Sequence, residues 1–231
     1  MIRAVFFDAA HTLIDPRPPS AEVYAACGAR HGMTVTAEAM RAALAPLWWT
    51  MRAEKNRGSA VTGTNEEMEQ AWWRTLLARA FRDAGEARPV SEELFREIFR
   101  HFARGDAWKV FPDVPPAIAA LRSRGMRLGV LSNFDSRLRP VLADHRLDDQ
   151  FDSITISSEA GWEKPHPNIY QAALAALGVA PQEALMVGDD WEHDVQGPTA
   201  VGMRALWLSR SAKPDPRPSI VSLEEVSAHL E

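Results

Sequence analysis

Short apolar runs recur at five places along the chain, each bounded by polar or turn-forming residues. Runs of this length are typical of parallel strands that are buried on both faces of a sheet. The pattern therefore predicts a five-stranded parallel sheet, with strands at residues 4–7, 128–131, 154–156, 185–187 and 205–208.

Amphipathic stretches of helical length separate these runs, and several of them end at a glycine, the residue that commonly stops a helix. Strand and helix therefore alternate, which favours an α/β fold built on an open, doubly wound, Rossmann-like parallel sheet. The predicted helices cover residues 115–124, 136–145, 167–177 and 194–201, and a last short helix covers 223–230 after an irregular connection at 211–219.

The alternation is interrupted between the first strand and the second, where the pattern has helical periodicity only. We interpret this segment, residues 16–104, as an all-helical cap domain inserted into a core domain formed by residues 1–15 and 105–231. Turn signals at Gly32, at 57–65 and at 85–89 separate its helices. The tryptophan pairs at 48–49 and 72–73 are interpreted as bundle core. The four predicted helices cover residues 21–31, 37–54, 65–84 and 91–102.

The composition is that of a mildly acidic globular protein, with 231 residues, 46% of them hydrophobic, and a formal net charge of −5. Scattered arginines on an acidic chain argue against nucleic acid or an anionic membrane surface as a partner. The apolar stretches fall short of the roughly 18 residues that span a bilayer. One cysteine, Cys27, excludes an internal disulfide and a cysteine-based zinc site. We expect a cytoplasmic protein, either a monomer or a homodimer.

Polar side chains follow four of the predicted strands, at the point where each strand ends or its loop leads into the next helix. Because the carboxyl ends of parallel strands lie at one edge of an open sheet, we expect these side chains to converge on one crevice. The residues are Asp8 and Thr12 after the first strand, Ser132 and Asn133 after the second, Lys164 after the third, and Asp189, Asp190 and Asp194 after the fourth.

In this order and spacing, the four groups resemble the four motifs of the haloacid dehalogenase superfamily. The resemblance extends over the whole chain, because the helical insert is similar to that superfamily's first-position cap. Residues 158–165 and 188–203 look most similar to the haloacid dehalogenase-like hydrolase domain-containing protein 3 group. The resemblance implies a hydrolase, most often a phosphatase, that acts on a small phosphorylated molecule.

The resemblance makes Asp8 the nucleophile, which attacks phosphorus and forms an aspartyl phosphate. Two anions do not approach each other readily, so a cation has to screen them. Asp8 and Asp189 supply hard oxygen ligands that suit Mg²⁺, and the resemblance adds the backbone carbonyl of Ala10. A carbonyl ligand does not depend on the side chain, so we still expect a Mg²⁺ site here.

The same resemblance assigns the phosphate-binding groups. Lys164 would hold the phosphoryl oxygens and the Asp8 carboxylate, while the Ser132 hydroxyl and backbone N–H groups near Asn133 donate to the same oxygens. Thr12, at the end of the first motif, is placed with them among the substrate-binding residues. For Lys164 the alternative interpretation is a solvated surface lysine.

Two carboxylates and three cations have less specific expected roles. Asp194 would orient the active-site lysine or a metal-bound water, or would cap the helix that follows it. Asp190 is either a supporting residue or an exposed loop carboxylate. Arg52, Lys55 and Arg57 are conceivable contacts for a distal anionic group of the substrate, but ordinary helix-surface charges are the favoured interpretation.

Residue 10 is an alanine where most phosphatases of this superfamily have a second aspartate. That aspartate protonates the leaving oxygen and later deprotonates the attacking water. General acid–base help of this kind is worth roughly 10² to 10⁴ in rate, so we expect slow turnover of alkyl phosphates and better turnover of aryl or acyl phosphates. His11 is a conceivable replacement acid and base, but a structural or loop-facing histidine is the favoured interpretation.

Two alternatives to a phosphatase stay open. The 2-haloacid dehalogenases also lack the second aspartate and work without metal, but a bare Asp189 beside Asp8 would then be unfavourable. A non-catalytic homologue that binds phosphate or metal is the other alternative. Phosphate release, ligand binding without turnover, and halide release distinguish the three.

Overall fold

The computed structural model confirms the parallel sheet and its α/β architecture. It describes residues 1–210 and 217–230, with the side chains of all of these except 56–62. The described strands are β1 (Ala4–Phe7), β2 (Ile14–Pro16), β3 (Trp108–Val110), β4 (Arg127–Ser132), β5 (Ser153–Ile156), β6 (Ala184–Gly188) and β7 (Arg204–Trp207). The main sheet has the order β5-β4-β1-β6-β7, and all of its neighbouring strands are parallel.

The central strand β1 is buried because alternate side chains of a strand point to opposite faces. Val5 and Phe7 pack into the larger apolar core on one face. Ala4 and Phe6 pack into a smaller core on the other face, with Tyr170 among their neighbours. Helices therefore cover both faces, which explains why β1 reads as an unbroken apolar run.

Nine described α-helices surround the sheet or form the insert. In the insert, Thr36, Asn65 and Ser91 begin their helices by accepting a hydrogen bond from the backbone N–H three residues on. The helices are α1 (Ser20–Arg30), α2 (Ala37–Thr62), α3 (Glu66–Asp83), α4 (Glu92–His101), α5 (Val114–Ser123), α6 (Leu138–Asp144), α7 (Ser157–Ala160), α8 (Pro167–Leu177) and α9 (Gly197–Ala200). Helices α1–α4 are called the helical insert below.

The structure corrects the predicted turn at residues 57–65. Helix α2 does not stop at residue 54 but continues to Thr62, and it ends at Gly63, whose φ is +69°. One glycine inside a helix costs only about 1 kcal/mol relative to alanine. Packing against α3 therefore outweighs the local preference for a turn at Gly58.

Other elements also differ from the predicted ones, among them the short helix α7, which was not predicted. The helix predicted at 194–201 begins earlier, with a π-helical turn at Trp191–Gln196 that leads into α9. The last predicted helix is a 3₁₀ helix at Leu223–His229. Strands β2 and β3, which form a separate antiparallel pair, were not predicted because three residues are too few to show a strand pattern.

The tryptophan pairs do not all lie in the core. Trp48 packs edge-on against Trp72 with ring centroids 5.5 Å apart, and Trp73 lies 6.0 Å from Trp48. Trp49 is 65% exposed, with the Arg52 guanidinium 5.3 Å from its ring centroid. Successive helical side chains point about 100° apart, so Trp49 faces solvent while its neighbour Trp48 packs inward. Trp72 and Trp73 both remain partly buried against the larger core.

The C-terminal segment is fastened to the core by a buried ion pair. Arg210 donates two hydrogen bonds to Asp113, each 3.0 Å long, and the backbone N–H of Leu223 donates to the same carboxylate. Most of the connection predicted at 211–219 lies outside the described residues. None of the described helices combines the length and the apolar composition needed to cross a lipid bilayer.

The end of α2 rests directly on the core, and this contact predicts a large effect of one small substitution. A Cβ at Gly63 would lie 2.5 Å from the carbonyl oxygen of Gly161, whereas a Cβ at Gly125 meets no atom within 4 Å. Both glycines have a positive φ, and Gly63 combines it with a ψ of −165°, a backbone region that is open essentially to glycine alone. Alanine therefore also adds backbone strain at Gly63. We expect Gly63→Ala to lower the free energy of unfolding by about 1–3 kcal/mol more than Gly125→Ala, because a backbone atom must move. Urea unfolding of the two variants measures the difference, and equal losses would contradict the contact.

Candidate functional site

The nucleophile position predicted from the sequence lies at the topological switch point of the sheet. The chain runs outward from β1 to β4 in one direction and later to β6 on the other side of β1. Asp8 follows β1, and its backbone N–H donates to the Val187 carbonyl at 3.0 Å. Ligands of open α/β sheets bind in the crevice beyond the carboxyl ends of the strands at such a point. Asp8 and Asp189 thus come from adjacent strands and meet there.

Three carboxylates and one ammonium group form the centre of the site. Single oxygens of Asp8, Asp189 and Asp194 all lie within 4.8 Å of one another. Lys164 Nζ donates to Asp8 Oδ1 at 2.8 Å and to Asp194 Oδ1 at 2.6 Å. Lys164 is only 2% exposed, which excludes the solvated surface lysine. With all three carboxylates ionised, one cation leaves two negative charges uncompensated.

The charge imbalance is reflected in the pKa values of the site. Burial alone would lower the pKa of Lys164, but the charges of Asp194 and Asp8 outweigh it and raise that pKa. Burial, and then the charge of Asp8, raise the pKa of Asp189 to about 6. Burial also raises the pKa of Asp194, to about 8. In the absence of a further cation, both carboxylates therefore hold a proton more readily than a free aspartate does.

The side chain of Asn133 positions Lys164 by binding the backbone of that lysine. The Asn133 side chain accepts a hydrogen bond from the Lys164 N–H at 2.7 Å and donates to the Lys164 carbonyl at 2.8 Å. The sequence predicted backbone donors near Asn133 but not this side-chain contact, which joins two segments 31 residues apart. Ser132, at the end of β4, is 1% exposed, and its predicted contact with substrate stays a prediction.

Thr12 lies against the predicted metal ligand. Its hydroxyl donates to Asp189 Oδ1 at 3.3 Å, and its backbone carbonyl accepts a hydrogen bond from Arg210 at 2.9 Å. Arg210 is held in turn by Asp113. Neither Arg210 nor Asp113 was predicted, because residues 198 positions apart in the chain carry no local signal of contact.

Asp194 and Asp190 stabilise the π-helical turn from which they project. Asp194 is fully buried, and its second oxygen accepts a hydrogen bond from the Asp190 N–H at 3.0 Å. Asp190 Oδ1 accepts from the His193 N–H at 2.9 Å and so caps the turn. Gly188 is required beside them, since a Cβ there would lie 2.2 Å from Asp194 Oδ2.

Arg52 and Lys55 are not the ordinary surface charges that the sequence favoured. Arg52 pairs with Asp190 Oδ2 at 2.8 Å and donates to Nδ1 of His193 at 2.8 Å. Burial, and then the charge of Arg52, lower the pKa of His193 to about 3, so its neutral ring can accept that bond. Lys55 pairs with buried carboxylates of the insert and the core. The Arg57 side chain lies outside the described residues.

Residues 10 and 11 occupy the loop that follows Asp8. Ala10 is partly buried and packs at the edge of the larger core. His11 has a φ of +60°, and its Nδ1 lies 2.9 Å from Asp15 Oδ1. That hydrogen bond is the main reason why the pKa of His11 is raised. A positive φ is normally a glycine conformation. The loop therefore turns sharply at this position, and His11 is engaged by Asp15.

Comparison with known proteins agrees with this geometry. The family model "haloacid dehalogenase-like hydrolase" matches residues 2–202. The human haloacid dehalogenase-like hydrolase domain-containing protein 3 is 31% identical over 220 residues, which are 93% of this chain and 85% of that protein. A phosphoserine phosphatase of Thermus thermophilus is 38% identical over 147 residues, which are 63% of this chain and 59% of that protein.

A solved structure has the same fold over the full length. The 2-haloacid dehalogenase of Pseudomonas syringae has a TM-score of 0.65 and 26% sequence identity, with 100% of this chain and 98% of that chain covered. The family model and the human relative each cover most of the chain. They confirm the family resemblance that the motifs at the strand ends predicted. The chain belongs to the haloacid dehalogenase-like hydrolases.

Proposed function

We propose that this hydrolase is a Mg²⁺-dependent phosphomonoesterase that cleaves a small phosphorylated molecule through a phosphorylated Asp8. The observation that carries the proposal is the charge of the site, in which Asp8, Asp189 and Asp194 share the single ammonium of Lys164. A buried excess of negative charge is unfavourable unless a cation compensates it. Neither nucleic acid nor a membrane is part of the proposal.

The donor set fits Mg²⁺. Carboxylate and carbonyl oxygens are the ligands this ion prefers, and Asp8, Asp189 and the backbone carbonyl of Ala10 would hold it. When bound, Mg²⁺ supplies the positive charge that lets an anionic phosphoryl group approach a carboxylate. Asp194 already binds Lys164 and the backbone of residue 190, so its proposed role is to orient the lysine.

In the proposed reaction, Asp8, Lys164 and Ser132 each have a separate role. An Asp8 oxygen forms a bond to phosphorus while the bond from phosphorus to the leaving oxygen breaks, and the leaving group departs as an alkoxide or phenolate. Lys164 neutralises the phosphoryl oxygens, and Ser132 donates to them. Water then attacks phosphorus while the bond from phosphorus to the Asp8 oxygen breaks, which releases phosphate and restores the Asp8 carboxylate. The proton that this water loses to solvent balances the one that the departed alkoxide or phenolate takes from solvent. Ala10 carries no proton in either step, so good leaving groups react best.

The similar proteins support two different reactions, one at phosphorus and one at carbon. The Thermus relative is named a phosphoserine phosphatase, which supports an attack on phosphorus. The Pseudomonas structure is a 2-haloacid dehalogenase, and Ala10 agrees with it. The dehalogenase is nevertheless the second candidate, because Asp189 places an additional anion beside the nucleophile. In either reaction the helical insert would act as a cap that closes over the site.

Mg²⁺ should stabilise the folded protein, and more so at pH 7.5 than at pH 5. Without the ion, folded Asp189 keeps its proton up to about pH 6 while the unfolded chain loses it near pH 4, so the free energy of unfolding falls as pH rises through this window. Mg²⁺ at about 100 times its dissociation constant should add about 2.7 kcal/mol. Urea unfolding with and without Mg²⁺ measures the increment. Asp189→Asn should abolish the increment that Mg²⁺ adds to the free energy of unfolding, and the control Asp190→Asn should keep most of this increment. If Asp189→Asn retained the increment, the metal site would be wrong.

The wild-type protein should release phosphate from p-nitrophenyl phosphate only when Mg²⁺ is present. Asp8→Asn removes the nucleophile and should lower kcat by about a thousandfold or more. Asp106→Asn, an equivalent change on the exposed surface, is the control. Metal-independent halide release from 2-haloacids would instead establish the dehalogenase. Phosphate binding with no turnover of any ester would establish the non-catalytic homologue.

Ala10→Asp should supply the missing proton transfer. We expect kcat for an alkyl phosphate to rise by about 10²–10⁴, and the gain for an aryl phosphate to be smaller because a phenolate leaves without a proton. Ala10→Asn is the matched control, with the same size and no ionisable group. Steady-state kinetics of the two variants on both esters measures the gain. Similar rates for the two variants would mean that proton transfer does not limit turnover.

A further inference from the structure

A second charged cluster lies where the helical insert contacts the loop that carries the active-site lysine. Lys55 Nζ lies 2.7 Å from Glu163 Oε2 and 2.7 Å from Glu69 Oε1. Glu69 also accepts a hydrogen bond from the Thr64 hydroxyl at 2.5 Å. Glu163 is 3% exposed and Glu69 is 6% exposed. Two buried carboxylates therefore share one ammonium group.

One oxygen of this cluster has no partner among the described side chains. Glu163 Oε1 is buried and makes no hydrogen bond to any residue that the structure describes. A buried carboxylate oxygen without a donor loses its hydration and gains nothing in return. Since Lys55 is already shared by two anions, the described side chains leave one negative charge of the cluster uncompensated. A hydrogen-bond donor with a positive charge would satisfy both requirements.

The cluster adjoins the candidate active site on the side that faces the insert. Glu163 directly precedes Lys164, whose ammonium binds Asp8. Arg52, three residues before Lys55 on α2, binds Asp190 beside Asp189. Three residues of a helix advance about 4.5 Å along its axis, so the two cations lie on neighbouring turns. The cluster is therefore linked to the candidate site through two direct chain connections, at Lys164 and along α2.

We propose that Glu163 binds a primary ammonium group of the substrate. The inference rests on the proposed phosphatase function and narrows its substrate to small aminoalkyl phosphate esters. An ammonium group brings three donors and one positive charge, and one of those donors would bind Glu163 Oε1. A divalent metal ion does not fit this cluster, since the bound Lys55 would repel it and a single free oxygen is too few ligands.

Binding of two matched esters tests the subsite. O-phosphoethanolamine and propyl phosphate have nearly the same shape and differ in an ammonium group where the other has a methyl group. Calorimetric titration uses the Asp8→Asn variant with Mg²⁺, so that neither ester is consumed. We expect O-phosphoethanolamine to bind about tenfold more tightly or better, as for a hydrogen bond to a charged group. Adding Glu163→Gln should reduce the ratio of the two affinities to about one.

Two further variants separate recognition from a purely structural role. Glu54→Gln changes an exposed glutamate of α2 that pairs with Arg79, and it should leave the ratio unchanged. Lys55→Met removes the competing cation, so it should increase the preference for O-phosphoethanolamine. A structural role of the cluster would not produce a gain. Lys55→Met also keeps the test decisive should Glu163→Gln fold poorly.

The outcomes distinguish this inference from the phosphatase proposal. Equal affinities for the two esters, no binding of either, or a preference that survives Glu163→Gln would each overturn the ammonium subsite. Turnover is measured separately, with the wild-type protein on both esters. If O-phosphoethanolamine binds more tightly in a Glu163-dependent way but neither ester is hydrolysed, the subsite is upheld and the phosphatase proposal is overturned. If the esters are hydrolysed but bind equally well, the phosphatase proposal is upheld and the subsite is overturned.

Discussion

The structure of the site depends on the burial of Lys164 between Asp8 and Asp194. Neither the cation nor the fully buried Asp194 could remain in the interior alone, because an unpaired buried charge costs several kcal/mol. The two contacts of Lys164 therefore hold three separate segments together. These segments are the loop after β1, the loop before α8 and the π-helical turn after β6. Asp189 has no ion-pair partner among the described residues, and the resulting excess of negative charge is the basis of the proposed cation site.

Several contacts far from each other in the chain support that arrangement. Asn133 fixes the backbone of Lys164 from the end of β4. Arg210, anchored by Asp113, holds the loop of Thr12 from the C-terminal side, and Thr12 in turn contacts Asp189. Each contact satisfies a polar group that the fold buries. The segment that follows β7 therefore contributes to the candidate site, although all four sequence motifs lie before this segment in the chain.

The contact between the helical insert and the core also rests on charged side chains. Arg52 reaches Asp190, and Lys55 reaches Glu163. Glu66, at the start of α3, accepts hydrogen bonds from Ser136 and Ser158 of the core. Buried charged pairs specify position more than they stabilise, since partners must match in both place and sign. The insert is therefore held in a defined position beside the candidate site.

The sequence by itself determined the parallel sheet, most of its helices and the residues that meet at its edge. Apolar runs and helical periodicity follow from burial on one or both faces, and the carboxyl ends of parallel strands converge whatever the loops contain. The full length of α2 and the β2–β3 pair depended on packing that local patterns do not record. The resemblance already implied that Lys164 contacts Asp8 and Asp194, but only the tertiary structure decided the partners of the other charged side chains. Arg52, Lys55, Asn133 and Arg210 contact residues between 14 and 198 positions away, and such distances leave no periodic trace in a sequence.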